Sequence, residues 1–194
     1  MTLRALLIQR GARLQEYPAL TAPGWGELRY PAFRNRVEGI ALGLLAAGRD
    51  PGTPCHSATG SPWDWACEVA CAACGLRWDA GAGPVDPDLF GGPAFNAEAG
   101  RQLYHDREPA VLETTPFTAG LDQGELLRRL ARLNRRLGWD HTSSLRLPLD
   151  QLGTPAVRAA LWSALYAGGH AILDPGGGAW ASAAFEGFWS EGFP

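Results

Sequence analysis

Windows of apolar residues at helical spacing alternate with short β-prone runs along the whole 194-residue chain, and this alternation constrains the fold more than any other feature. Helical spacing covers 3–14, 26–47, 62–74, 96–106, 122–137, 155–167 and 180–190, and β-prone runs cover 18–22, 53–58, 76–80, 109–115, 143–148 and 170–174. Strands separated by helices are joined by crossovers rather than tight hairpins, which predicts an α/β fold with a parallel-rich sheet flanked by helices. The length fits one well-buried domain spanning 1–194, with a Gly/Pro loop at 80–93 and no internal repeat.

Composition matters mainly for what it excludes. A net charge of −3 with 19% charged residues lacks the basic excess of a nucleic-acid binder. No apolar run approaches the roughly 20 residues a membrane span requires, and the first fourteen residues read as an amphipathic helix rather than a leader, so a cytoplasmic protein is expected. All 17 basic residues are arginine, so chemistry that needs a lysine is excluded within this chain. In the helix of 122–137, Leu126, Leu130, Leu133 and Leu137 share one face, and Arg128, Arg132, Arg135 and Arg136 read as a solvated face rather than a phosphate-binding one.

Four segments, in order, resemble the acyl-adenylate-forming family: acyl-CoA synthetases, luciferases and the adenylation domains of peptide synthetases. EYPALTAPGWGELRYPAFRNRVEGIALGLLAAG, residues 16–48, resembles the family's opening unit, and GRDPGTPCHSATGSPWDWACEVACAACG, residues 48–75, resembles the strand and helix that follow. FNAEAGRQLYHDREPAVL, residues 95–112, and LRLPLDQLGTPAVRAALWSALYAGGHAILD, residues 145–174, resemble two later units. The resemblance implies the first lobe of the family's N-terminal domain, and it places the adenine-binding strand, the ribose-binding aspartate and the C-terminal lid with its catalytic lysine beyond Pro194.

Where the family carries its phosphate loop, T-S-G-T-T-G-x-P-K-G, this chain reads TPFTAGLDQG, residues 115–124. Thr115, Thr118, Gly120 and Gly124 fall on matching positions and form the candidate, vestigial nucleotide-binding set. Such a loop needs glycine wherever the backbone approaches phosphate. Phe117 stands at one of those glycines, Gln123 replaces the lysine, and Asp122 adds a negative charge, so the loop reads as degenerate. Gln151 stands at the histidine of the family's P-L-x-H-x-x-G turn.

Other constellations carry less. Cys67, Cys71 and Cys74 have the C-x₃-C-x₂-C spacing of radical-SAM enzymes, but on a helix they lie at i, i+4 and i+7 and span about 10.5 Å along the axis. Together with Cys55 they read as buried core cysteines, with no metal and no cofactor expected. His56, His105, His141 and His170 show no ligand or catalytic spacing, and Ser57 and Ser61 near His56 form no nucleophile elbow.

These readings lead to a non-catalytic or accessory protein on an adenylate-former scaffold, acting through a protein partner or as a homodimer. Trp180, Phe185, Phe188, Trp189 and Phe193 are the expected interface anchors. Two alternatives stay open: one piece of a split adenylating enzyme, and a weak sensor of a nucleotide or acyl ligand.

Overall fold

The structure is a computed structural model and describes residues 1–85, 97–176 and 180–193. Its helices are α1 (Leu3–Arg13), α2 (Tyr30–Ala46), α3 (Pro62–Cys74), α4 (Ala97–Asp106), α5 (Pro109–Thr114), α6 (Gln123–Leu137) and α7 (Pro155–Ala167). Its strands are β1 (Pro18–Ala22), β2 (Gly26–Arg29), β3 (Pro54–Cys55), β4 (Arg77–Trp78), β5 (Pro116–Thr118), β6 (Leu121–Asp122), β7 (Ser144–Pro148) and β8 (His170–Asp174).

The main sheet has the order β2-β1-β8-β7. β8 runs parallel to both β1 and β7, while β2 closes an antiparallel hairpin on β1. β3 and β4 form a second, parallel pair. Leu20, Ala22, Leu147, Ala171 and Leu173 are buried on this sheet, with α2 packed on β1 and α7 on β7 and β8. This is the α/β arrangement of helices around a small, mostly parallel sheet that the alternation implies.

Local chemistry sets most helix boundaries. The Thr2 hydroxyl caps α1 by accepting from the Ala5 amide, Ser61 caps α3, and Asp122 caps α6. Pro62 and Pro155 stand at the first position of their helices, where no amide is needed. α3, α6 and α7 end on Gly75, Gly138 and Gly168, each with positive φ. At Gly100 the backbones of α4 and α2 meet so closely that a Cβ would lie 2.2 Å from the Leu42 carbonyl oxygen. Tyr30, at the start of α2, is buried and donates to the Gly169 carbonyl 2.7 Å away, which ties the helix to the entry of β8.

Four expectations are corrected. Residues 26–29 are strand, because the glycine-turned hairpin after Ala22 pairs them with β1 and α2 begins only at Tyr30. Of the run 109–115, Pro109–Thr114 is helix α5 and not strand: Pro109 starts it, and the Thr114 and Thr115 hydroxyls fold back on the Ala110 and Val111 carbonyls. Residues 180–190 form turns and a single 3-10 turn, Ser182–Ala184, in place of a helix. Phe185, Phe188 and Phe193 are buried in the chain's own core, so they are not free interface anchors; Trp180 and Trp189 are half-buried against that core. Of the loop at 80–93, residues 86–93 lie outside the described residues.

Candidate functional site

The segment 115–124 leaves α5, turns through the β5–β6 hairpin and enters α6. Its two-residue turn, Ala119 and Gly120, has φ of 49° and 75°, the left-handed pair that a tight hairpin uses. The four candidate residues are thereby spread out. Thr115 is half-buried just after α5, Thr118 is buried on β5, Gly120 is in the turn, and Gly124 lies in the first turn of α6.

Three of the residues that depart from the phosphate-loop pattern, Phe117, Asp122 and Gln123, have structural tasks. Phe117 is buried edge-on against Trp162, with ring centroids 5.6 Å apart. The Asp122 carboxylate accepts from the Glu125 amide at 2.7 Å and caps α6. Gln123 is buried, and its amide joins two other helices: Oε1 accepts from the Leu3 amide at 2.9 Å, and Nε2 donates to the Ala72 carbonyl at 2.6 Å. The Leu3 amide is one that the start of α1 leaves unpaired, and the Ala72 carbonyl, in the last turn of α3, otherwise accepts only a long 3.4 Å bond from the Gly75 amide.

Thr118 and Gly120 border a cleft lined by several charged side chains. One arm, about 340 Å³, is lined by His56, Ser57, Asp64, Glu68, Trp78 and Arg158 among others. The other, about 470 Å³, shares Trp78 and Arg158 and adds Arg77, Asp79, Thr118 and Gly120. Both lie within the size range of small-ligand sites, about 300–1,000 Å³. At the junction, Arg158 on α7 forks onto Glu68 on α3, with Nε to Oε2 at 2.9 Å and Nη2 to Oε1 at 2.7 Å. Nη2 also donates to the Thr118 hydroxyl at 2.9 Å, and the Trp162 indole donates to Glu68 Oε1 at 2.8 Å. The Arg158 guanidinium also stacks 4.8 Å above the Trp189 ring.

Beside this network the loop before α3 closes on Asp64. Its carboxylate accepts from the Ser57 and Thr59 hydroxyls and from the Thr59 and Gly60 amides, at 2.7–2.9 Å. Ser57 is therefore bonded to an acid and not to His56, whose ring packs on Trp78 at 5.3 Å. Glu68 and Arg158 were not singled out by sequence reasoning because they stand 90 residues apart. The available signal was one carboxylate inside WACEVACAACG, a helix buried nearly all round. His170 pairs with the Thr21 hydroxyl at 2.8 Å, and burial holds its imidazole below the ordinary range. All four cysteines are buried and free, and Cys55, not Cys74, is the one beside Cys67 and Cys71. Arg128, Arg132, Arg135 and Arg136 are exposed. No helix among the described residues is long and apolar enough to cross a membrane.

No family model matches the sequence, and no curated protein matches it. Solved structures do. A nonribosomal peptide synthetase, FmoA3 (S1046A) in its AMPPNP-bound form, superposes with a TM-score of 0.66 at 16% identity, over 90% of this chain and 23% of that one. The Klebsiella oxytoca NpsA N-terminal subdomain in complex with 3-hydroxybenzoyl-AMSN gives 0.65 at 15% identity, over 94% and 56%. A putative long-chain-fatty-acid CoA ligase from Rhodopseudomonas palustris gives 0.63 at 17% identity, over 89% and 57%. The chain thus spans from under a quarter to a little over half of these three chains. At such identities the likeness establishes the fold: this chain has the fold of the N-terminal domain of adenylate-forming enzymes, across part of that domain's length.

Proposed function

We propose that this protein is a non-catalytic accessory protein on the adenylation-domain fold, which forms no acyl-adenylate by itself and acts through a protein partner or a second copy of itself. The carrying observation is Gln123. At the position that the resemblance gives to a phosphate-binding lysine, this chain holds a neutral amide with both of its polar atoms spent on helix ends in the interior. A group so committed has nothing to offer a nucleotide, and the buried Phe117 ring fills the place of a glycine that would admit phosphate to the backbone. Acyl activation also depends on fixed charge at the transferring phosphoryl group. Arg158, which meets the hairpin at Thr118, is already engaged by Glu68. Ile8, Leu103 and Val111 are exposed apolar side chains available to such a partner.

The cleft around Arg158 supports a second reading, a sensor of a small ligand, since it combines ligand-sized volume with an aromatic wall and converging polar groups. One experiment separates the two. Purified protein is given magnesium-ATP and a panel of carboxylic acids, and pyrophosphate release and melting temperature are read together. The accessory reading expects neither release nor a shift. A saturable shift without release favours the sensor, and robust release overturns both.

A further inference from the structure

The Sγ atoms of Cys55, Cys67 and Cys71 all lie within 4.8 Å of one another, and all three residues are buried. Cys67 and Cys71 stand one turn apart on α3, and Cys55 arrives from β3, the strand directly before that helix. Such convergence differs from packing alone. Cys74, on the same helix and equally buried, turns away and donates its thiol hydrogen to the Ala70 carbonyl at 3.1 Å.

The geometry points to a soft-metal site: we propose that Cys55, Cys67 and Cys71 form a three-thiolate centre for one thiophilic ion of the copper(I) type. Three sulfurs around an ion at a metal–sulfur distance of about 2.3 Å stand about 4.0 Å apart in a trigonal plane, so the observed triangle needs a contraction of about 0.8 Å at most. Among the described residues the group includes no imidazole or carboxylate. An all-sulfur, three-ligand set selects a soft ion, whereas structural zinc is held almost always by four ligands. On loading, each ligating S–H gives its proton to the buffer as its sulfur bonds the ion, with no change of oxidation state.

The test is anaerobic titration of reduced protein with copper(I) against the chromophoric chelator bicinchoninate, followed by desalting and X-ray absorption. The expected result is one copper retained per chain with a first shell of three sulfurs. Cys55→Ser and Cys71→Ser should each weaken binding by about 100-fold or more, as loss of one of three ligands requires, and Cys74→Ala should leave it unchanged. Far-UV circular dichroism checks that the variants are folded, and the absorption shell of the unaltered protein stands without them. Copper at the buffer blank, a shell of nitrogen or oxygen, or equal weakening by Cys74→Ala would overturn the proposal.

Discussion

The main sheet and the segment 109–124 lie in one fold, yet the sequence describes them unequally. The β-prone runs match the limits of β1, β7 and β8 closely, and β8 alternates strictly, burying Ala171 and Leu173 where a register slip would expose them. α3 and α7 are bounded equally well, by a proline at the first turn and a left-handed glycine at the end. In 109–124 the residues are β-prone by type, but Leu112 is the sole buried residue of α5, and the segment's course is fixed by turn chemistry and by contacts with residues far away in sequence. Regular packing leaves a periodic trace in a sequence. Side chains that bolt distant helices together do not.

Breaking the bolts should therefore cost more than an ordinary surface substitution. The largest effect is expected at Arg158. Its partner Glu68 has a side-chain exposure of 3%, so Arg158→Ala leaves a buried carboxylate without its cation and should destabilise by about 3–5 kcal/mol in denaturant unfolding. The double change Glu68→Leu with Arg158→Leu removes both charges and should recover most of that loss. A double variant no more stable than the single one would show that the pair does more than neutralise itself.

Gln123 ranks second. Gln123→Leu leaves the Leu3 amide unpaired in the interior and the Ala72 carbonyl with only its long 3.4 Å bond from the Gly75 amide, a cost of about 1–3 kcal/mol. Gln123→Lys should cost at least as much, since an ammonium can serve the carbonyl but would face the Leu3 amide as a second donor. Restoring the lysine of the phosphate-loop pattern should thus melt the protein earlier and restore no chemistry. A Gln123→Lys variant as stable as the parent would remove the main support for the structural reading of this segment.

How far the candidate site was legible follows the same division. The departures at Phe117, Asp122 and Gln123 could be read as losses of phosphate chemistry from residue type alone. Their positive tasks, a core ring, a helix cap and a bridge between α1 and α3, required coordinates. The sequence also grouped Cys67, Cys71 and Cys74 by helical spacing. It could not show that a strand twelve positions earlier brings Cys55 into the triangle while Cys74 faces elsewhere.

The central claim is that 115–124 is a locked structural hairpin and not a phosphate loop. The most direct measurement is an amide proton–nitrogen correlation spectrum recorded with increasing magnesium-ATP and paired with hydrogen exchange. The account predicts that the amides of Phe117, Thr118, Gly120 and Gly124 do not shift, and that Phe117 and Thr118, buried on β5, exchange slowly with and without nucleotide. Saturable shifts confined to those four amides, with exchange that slows as nucleotide binds, would contradict it.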